Sequence, residues 1–362
     1  MGPSAAPAMT PYSAEAFLLA LLREDERAAR EALASGADPA AVAAICVRHG
    51  IAGYVAALWP GPGRGAILPP ALREPLAAAR RKIAMDNTLL YARARPILER
   101  LHARGIDTIV LKGPALIGRV YDDAGARLLS DLDLLVPAPR AAEAIETLQV
   151  LGLAEVLCDQ RSARRLGYEA AGPGALPVEI HWDLSQRHRF QADLAGLWER
   201  SVPFELEGIP ARRLGREDEF LYLALHHAAH YFGVTLKWVV DLRELLRRDP
   251  PDAGVLDRRA SLWHGRAALG AAGLYLKKIY PALGVPQLPA PGPLRARLLE
   301  AFRSPSPIEL VTPLRRGASR LALGLLFVDR ARDMARLGAA TLLGGDDHDH
   351  DPPAQAQRSP QT

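Results

Sequence analysis

The spacing of apolar residues predicts helices throughout the first part of the chain. An early stripe, with apolar residues at the i, i+1, i+4 and i+5 positions of a helix, consists of Phe17, Leu18, Leu21 and Leu22. A longer helical pattern runs from about residue 71 to residue 103, with Pro75 in its first turn and an expected kink at Pro96. Gly105 ends this pattern. We therefore predict an N-terminal helical region over residues 13–104.

The periodicity then changes from helical to strand-like. Short apolar or alternating runs predict strands at residues 107–111, 130–136 and 177–182, with a further β-segment at 201–214. An amphipathic pattern predicts a helix at residues 139–151, between the second and third of these strands. The order strand, helix, strand is typical of a small α/β domain, which we place at residues 105–215, with a mixed sheet and helices on one face.

Helical spacing returns at Arg216. The best segments are residues 217–232, 237–248, 258–278 and 293–302. We predict a C-terminal helical domain over residues 216–343 and a polar, disordered tail over residues 344–362, in which His348 and His350 are solvated. The predicted fold class is α+β: a small mixed-sheet domain flanked by N-terminal and C-terminal helical regions.

Composition narrows the range of partners. The net charge of +4 is a small surplus for 362 residues, so nucleic acid is not an expected partner. The two cysteines, Cys46 and Cys158, form no CxxC pair, which favours a reducing cytoplasm. The first residues lack the pattern of a secretory signal, and the apolar run 321–328 is far too short to span a bilayer. We therefore expect a cytoplasmic protein with no membrane partner.

Asp131 and Asp133 form the first candidate site. They lie two residues apart on a predicted strand, so their side chains share a face, while Leu132 and Leu134 point into the core. Two carboxylates on one face repel each other unless a cation binds between them, and Mg²⁺ prefers such oxygen ligands together with substrate phosphates. A solvent-facing pair of acids at a turn fits the same residues. In either case both carboxylates are expected to be partly exposed.

Positively charged residues lie close to this pair in the sequence. Lys112 and Gly113 follow the predicted strand 107–111, where a glycine lets the backbone approach a phosphate and a lysine neutralises it. Arg127 lies four residues before Asp131 and is a second candidate phosphate ligand. An ordinary turn after a strand and a surface arginine are the alternative interpretations.

A third acidic strand follows. Glu179, His181 and Asp183 alternate with Ile180 and Trp182, so they share one face of the predicted strand. A carboxylate from this strand would complete a three-acid site if the strand lies beside the Asp131–Asp133 pair. The alternative is a strand with one polar, water-facing side.

Together these residues resemble the uncharacterised nucleotidyltransferase family, which belongs to the DNA polymerase beta-like nucleotidyltransferase superfamily. The resemblance rests on the segments LKGPAL at 111–116, DLDLLV at 131–136 and EIHW at 179–182, together with Tyr121 and Arg127. It continues into LHHAAH at 225–230 and LKWVVDL at 236–242, and covers most of residues 85–250.

The resemblance implies a metal-dependent nucleotidyltransferase. Such an enzyme moves a nucleoside monophosphate from a nucleoside triphosphate, such as ATP, to an acceptor, here expected to be a small molecule or a peptide. Asp131 and Asp133 would hold Mg²⁺ or Mn²⁺. Glu179 would be the third catalytic and metal-binding carboxylate, and Asp183 is its substitute.

The same resemblance assigns the nucleotide-binding residues. Lys112 and Gly113 would occupy the phosphate-binding Gly-Ser turn of the superfamily, with Arg127 nearby. The sequence departs from the superfamily pattern here because Pro114 follows the glycine and no serine is present. Triphosphate binding is therefore a weaker expectation than metal binding.

A cluster of histidines lies on a predicted helix. His226 and His230 are spaced i, i+4, and His227 and His230 are spaced i, i+3, so each pair shares a face. Packing between helices, with Trp238 and Asp241 nearby, is one interpretation. A metal site is another. The third is contact with the acceptor or the nucleotide, for which His181, Asp183, His227 and His230 are the candidate residues.

Two further functions are compatible with the sequence. One is a noncatalytic nucleotide-binding or regulatory protein that keeps the fold, although such a protein has no need for three acids. The other is a phosphohydrolase built on the histidine helix. The His-Asp dipeptide that this chemistry requires occurs only in the predicted tail.

Overall fold

The computed structural model describes residues 11–61, 63–155, 167–171, 176–184, 189–230, 235–284, 288, 292–301, 304, 306–308, 326–330 and 334–335. Cys158 and the predicted tail, with His348 and His350, lie outside the described residues.

The N-terminal region is helical, as its periodicity predicted. Four short helices, α1 to α4, span Pro11–Leu22, Glu26–Ala34, Pro39–Arg48 and Ala52–Leu58. Asp25 and Asp38 start α2 and α3 by accepting hydrogen bonds from backbone amides in the first turn. The long helix α5 then runs from Pro70 to Ala103, and Pro96 lies within it. The prediction that Pro75 lies in the first turn is wrong, because the helix begins five residues earlier and Pro75 lies in its second turn.

A seven-stranded sheet follows, with the strand order β3-β4-β5-β2-β1-β7-β6. Its strands, β1 to β7, span Ile109–Val110, Leu132–Leu135, Ala154–Glu155, Gly167–Ala171, Val178–His181, Val202–Leu206 and Ile209–Arg213. The β2–β5 and β1–β7 pairs are parallel and the other pairs are antiparallel, so the sheet is mixed. The helices α6, α7 and α8 between the strands span Gly113–Leu116, Ala141–Val150 and Leu194–Arg200.

The two faces of the sheet belong to different hydrophobic clusters. Val110, Leu132, Leu134, Val178 and Ile180 pack with residues of α5 and α7. The opposite face contributes Ile109, Leu111 and Leu135 to a cluster that also contains the N-terminal helices and the C-terminal helices. Because side chains alternate along each strand, every second side chain points toward the flanking helical regions.

The C-terminal region is again helical. The helices α9 to α13 span Arg216–Ala229, Leu236–Arg248, Ala253–Leu262, Arg266–Ile279 and Pro293–Ala301. The prediction of one helical segment at residues 258–278 is wrong, because α11 ends at Leu262 and α12 begins at Arg266. The break follows from His264, whose φ of 57° lies in the left-handed region that cannot continue a right-handed helix.

The first and last helical regions pack against each other. The Arg23 side chain, just after α1, donates a 2.7 Å hydrogen bond to the carbonyl of Ile279 at the end of α12. The Thr235 hydroxyl, at the start of α10, donates to the carbonyl of His49 at the end of α3. Within the described part of the chain, none of the helices combines the length and apolarity needed to cross a membrane.

Candidate active site

The order of three strands gathers the candidate residues at one edge of the sheet. β1 is antiparallel to β2, so the end of β1, which leads to Lys112, lies beside the start of β2, which carries Asp133. β5 is parallel to β2 and places Glu179 directly opposite Asp133. Leu132 and Leu134 turn into the sheet–α5 core, which leaves the Asp133 side chain on the other face.

Three side chains meet around the Asp133 carboxylate. The Lys112 ammonium donates to Asp133 Oδ1 at 2.7 Å, and His181 Nε2 lies 3.0 Å from the same oxygen. His181 Nε2 also lies 3.1 Å from Glu179 Oε2. Asp133 is fully buried, whereas the side chain of Glu179 is 30% exposed, so Glu179 forms the solvent side of this group.

The charges of these residues stabilise each other. Burial opposes the charged forms, but hydrogen bonds to Asp133 and Glu179 raise the pKa of His181 to about 9. Burial would raise the pKa of Glu179, yet the hydrogen bond from His181 and the Lys112 charge lower it to about 2. Lys112 behaves in the same way: burial is outweighed by Asp133, which holds the pKa of the ammonium well above its usual value.

The donor set fits a divalent cation. One ligating atom from each of Asp133, Glu179 and His181 lies within 4.8 Å of the other two. Asp133 Oδ2 is buried and has no hydrogen-bond partner among the described residues, so one carboxylate oxygen is available to a ligand. We refer to Asp133, Glu179 and His181 as the carboxylate cluster.

Asp131 and Asp183 lie at the margins of this cluster. Asp131 is partly exposed just before β2 and accepts a 3.0 Å hydrogen bond from the Ser130 hydroxyl. Its charge acts on Glu179 and Lys112. Asp183 is buried beyond the end of β5 and is not a member of the cluster. The expectation that both aspartates of the pair are partly exposed holds for Asp131 and is wrong for Asp133, which the strand pairing and Lys112 enclose.

The turn at Lys112 is conformationally strained. Lys112 has a φ of 54°, a left-handed conformation that costs a residue with a side chain about 1–3 kcal/mol. A Cβ added at Gly113 would lie 2.4 Å from Leu129 Cδ2, so the glycine allows the turn to pack closely against that segment. The ion pair with Asp133 helps to hold the strained turn in place.

Comparison with known proteins identifies the family. A model of the uncharacterised nucleotidyltransferase family matches residues 35–281, more than half of the chain. The chain belongs to this family. Nucleotidyl transfer as the general activity, which the sequence predicted, is thereby confirmed. No curated protein matches the chain.

Three solved chains also match this family member. One is the solution structure of the antibiotic-resistance factor ANT(2'')-Ia, 16% identical with a TM-score of 0.36, covering 48% of this chain and 91% of its own. Another is the crystal structure of an antigenic nucleotidyltransferase-like protein from Paracoccidioides brasiliensis. It is 17% identical with a TM-score of 0.31 and covers 45% of this chain and 74% of its own.

In this nucleotidyltransferase Arg127 is engaged in a buried ion pair. Its Nε and Nη2 atoms each donate at 2.7 Å to the two oxygens of Asp241, and Nη1 donates to the carbonyl of Leu128. The Tyr121 hydroxyl adds a 2.6 Å hydrogen bond to Asp241. The guanidinium therefore ties the segment before β2 to α10, and its placement gives no support to phosphate binding.

Helix α9 borders the carboxylate cluster through Tyr222 and His226. Burial raises the pKa of Tyr222, and the charges of Lys112, Asp133 and Glu179 also act on this hydroxyl. Burial lowers the pKa of His226 well below its usual value, and the charge of Lys112 lowers it further. His226, which is partly exposed, is therefore neutral. It lies near the carboxylate cluster, a position that its spacing in the sequence did not indicate.

All three histidines of α9 pack against the Trp238 ring, and the His226 centroid lies 4.7 Å from it. His227 is fully buried, with its ring centroid 5.4 Å from Trp238 and 5.6 Å from Tyr275. His230 ends α9 and lies 4.8 Å from His226 and 5.0 Å from Trp238. Among the residues that the structure describes, no metal-ligating group includes any of the three histidines.

Lys237 is a charged residue near the cluster that sequence reasoning did not single out. It lies one turn before Asp241 on α10, so it faces the Arg127 segment. Its stem packs beside Gly50. Burial lowers the pKa of Lys237 to about 8; the Arg127 charge lowers it further, and Asp131 opposes this effect. No carboxylate within the described ranges lies within 4.0 Å of its nitrogen.

Proposed function

We propose that the chain transfers a nucleoside monophosphate from a nucleoside triphosphate to a hydroxyl group of a small-molecule or peptide acceptor, in a reaction that requires Mg²⁺ or Mn²⁺. The acceptor oxygen attacks the α-phosphorus, and pyrophosphate leaves. The observation that supports this proposal most strongly is the carboxylate cluster, with the free oxygen of Asp133 beside Glu179 and His181.

Asp131, Asp133 and Glu179 are the proposed cation ligands, and His181 is a fourth candidate. A bound divalent cation would stabilise the charge that develops on the transferred phosphoryl group and lower the pKa of the attacking hydroxyl. Glu179 is the most exposed carboxylate of the cluster, so it is the one that the attacking hydroxyl would approach; its low pKa makes it a weak proton acceptor.

Lys112 and Lys237 are the proposed phosphate-binding cations. Lys112 lies at the cluster, and Lys237 carries an ammonium that no carboxylate of the described residues neutralises. We propose that Lys237, rather than Arg127, pairs with the triphosphate, because Asp241 already neutralises Arg127. His226 borders the same space and is the proposed histidine contact for nucleotide or acceptor, ahead of His227 and His230.

Asp131→Asn is the sharpest test of this function. Asp131 is partly exposed and bonds only to Ser130 among the described residues, so the variant should melt like the wild type. Losing a cation ligand should cost about 4 kcal/mol in the transition state, a loss of about a thousandfold in rate. The measurement is pyrophosphate release with Mg²⁺ over a panel of nucleoside triphosphates and hydroxyl acceptors.

Asp107→Asn is the matched control, because Asp107 is an exposed aspartate before β1. It should keep wild-type turnover. Unchanged turnover in a folded Asp131→Asn protein would remove Asp131 from the reaction. Asp133→Asn is a poorer probe, since it strands the buried Lys112 charge and should cost about 3–5 kcal/mol of stability.

One observation favours the noncatalytic alternative as a second candidate. Lys112 and His181 already neutralise Asp133 and Glu179 without a cation. A binding protein would retain nucleotide affinity and release no pyrophosphate with any acceptor. A phosphohydrolase would instead release orthophosphate, but the described histidines of α9 form no metal-ligating group with a carboxylate.

A further inference from the structure

A second concentration of charge lies where β7 ends and α9 begins. A cavity of about 440 Å³ opens there, a size that suits a small molecule. Four arginines and two acids contribute to its wall: Arg200, Arg213, Arg216, Arg259, Glu217 and Asp249. We call this cavity the arginine pocket. None of its residues belongs to the carboxylate cluster.

Most charges of the arginine pocket are already paired. Arg200 and Arg259 lie 3.0 and 3.1 Å from the two oxygens of Asp218, a fully buried carboxylate behind the wall. Arg216 lies 3.1 Å from Glu217 and 3.8 Å from Asp249. Arg200 and Arg259 are therefore held against a buried carboxylate, whereas the side chain of Arg216 is about half exposed.

Arg213 is the exception. No described carboxylate lies within 4.0 Å of its guanidinium, although the side chain is partly buried. Burial lowers the pKa of Arg213, and the nearby Arg119 cation lowers it further, whereas the acids Glu219 and Asp249 partly oppose this effect. Glu219 and Asp249 form their direct ion pairs with Arg119. The pocket therefore contains one guanidinium that forms no direct ion pair with a described carboxylate.

The backbone adds hydrogen-bond donors to the pocket. The 14-residue helix α9 starts there, and its N-cap residue, Gly215, provides no side-chain hydrogen bond to the first turn. Three acids of that turn, Glu217, Asp218 and Glu219, offset the positive end of the helix. Guanidinium groups bind the oxygens of phosphate in pairs, and an arginine cluster of this kind favours that anion.

We propose that the arginine pocket binds the phosphate group of a small molecule, with Arg213 as its principal ligand. The site lies on the same sheet edge as Lys112, because Arg213 is opposite Val110 on the parallel strand β1, two residues before Lys112. The phosphate could belong to free orthophosphate or to a phosphorylated metabolite. The inference does not depend on the proposed nucleotidyl transfer.

Titration calorimetry with inorganic phosphate, at constant ionic strength in chloride, tests this inference on the full chain. Wild type should bind phosphate, and Arg213→Gln should raise the Kd by about tenfold or more. Arg213→Lys, which keeps the charge and loses the paired N–H groups, should give an intermediate Kd. Arg48→Gln removes an exposed arginine of α3 and should leave the Kd unchanged. A phosphorylated sugar that binds more tightly than phosphate would identify the metabolite source.

Two outcomes would overturn the inference. The first is an absence of phosphate binding by wild type at millimolar concentrations. The second is binding that survives Arg213→Gln and disappears in Lys237→Met, which would assign the phosphate to the carboxylate cluster. Arg213→Gln removes no ion pair, so its melting temperature without phosphate should match wild type and verify that the variant is folded.

Discussion

Around the carboxylate cluster, single charged residues differ in whether a protein partner already satisfies them. Lys112 is paired with Asp133, and Arg127 is paired with Asp241. Lys237 has no such partner among the described residues, and its lowered pKa reflects first its burial and then the charge of Arg127 beside it. A charge that the folded protein leaves uncompensated is the one that an anionic substrate stabilises most.

Lys237→Met should therefore weaken nucleotide binding without harming the fold. Loss of one charged contact of about 2 kcal/mol corresponds to a rise of about thirtyfold in the KM for the triphosphate. The melting temperature should stay the same or rise, because methionine keeps the packing and removes an unfavourable charge. Steady-state kinetics and a thermal melt provide both readouts.

Lys277→Met is the matched control, since Lys277 is exposed on α12. It should leave the KM unchanged. If Lys237→Met keeps a wild-type KM while Asp131→Asn is inactive, Lys237 has no part in triphosphate binding although the transfer function stands.

For single residues, the sequence predicted which charged residues lie in the site better than it predicted which residues they pair with. Alternation in 130–136 and 177–182 predicted which residues share a face within each strand, because strand parity is local, whereas the pairing of Asp133 with Glu179 comes from the sheet. The Arg127–Asp241 pair joins residues 114 positions apart, and no local pattern encodes it. Lys237 was not predicted as a site residue for the same reason. The roles of the site residues stay predictions until the variants are measured.

Among the elements, the contact between α4 and the short turn Ala124–Ala126 is unusually close. A Cβ on Gly53 of α4 would lie 1.9 Å from the carbonyl oxygen of Gly125. Gly125 itself faces the carbonyl of Arg80 on α5 in the same way. At both glycines a backbone carbonyl oxygen lies where a Cβ would be. Glycine is therefore required for close packing rather than for its φ angle. This turn leads directly to Arg127 and the candidate site.

Gly53→Ala should destabilise the protein, although alanine favours helix more than glycine does. The added methyl group must move α4 away from the turn, an overpacking cost of about 2 kcal/mol. Urea unfolding measures the change in the free energy of unfolding. Gly63→Ala is the control, because a Cβ on Gly63 meets nothing within 4 Å. Equal stability of the two variants would show that α4 can shift freely.

Secondary structure was predicted where periodicity is strong. The strands β1, β2 and β5 and the hairpin β6–β7 all fall within predicted segments, and α1 and α5 begin within two residues of their predicted starts. β3 and β4 were not predicted, since Ala154 and Glu155 are exposed and carry no apolar alternation. The break between α11 and α12 was not predicted because the helical spacing of apolar residues continues across it. The helical backbone itself stops there, since His264 has a positive φ.

On the scale of the whole molecule, one hydrophobic cluster joins the first and last helical regions and one face of the sheet. The division at residues 104 and 215 remains a prediction, and this shared core crosses both positions. His49 lies at the junction: it is buried, and its Nδ1 accepts a hydrogen bond from the backbone amide of Leu236 at 3.4 Å. Only the neutral imidazole can accept there.

His49 should make the junction sensitive to acid. Burial, with a smaller effect of Arg48, lowers the pKa of His49 to about 4 in the folded state. In the unfolded chain histidine titrates near pH 6.5, so below that pH the unfolded state binds the extra proton. The free energy of unfolding should therefore fall as the pH drops from about 6.5 to about 4, by up to about 3 kcal/mol.

Chemical denaturation at a series of pH values checks this expectation. His49→Gln should reduce the steepness of the dependence in that window, since glutamine cannot be protonated; the part caused by the buried His226, whose pKa is also lowered, should remain. His102→Gln replaces an exposed histidine of α5 and should preserve the wild-type curve. Parallel curves for wild type and His49→Gln would mean that another group causes the acid sensitivity.

The hydrogen bond between Arg23 and Ile279 has a consequence for synthesis on the ribosome, because its partners lie 256 residues apart. At a translation rate of roughly 5–20 residues per second, α12 is synthesised roughly 10–50 seconds after the first helix. During that time the apolar residues Phe17, Leu18, Leu21 and Leu22 have no partner from the C-terminal helices. We therefore expect nascent chains stalled before α12 to bind chaperones that recognise apolar segments, and to be released when translation continues past Ile279.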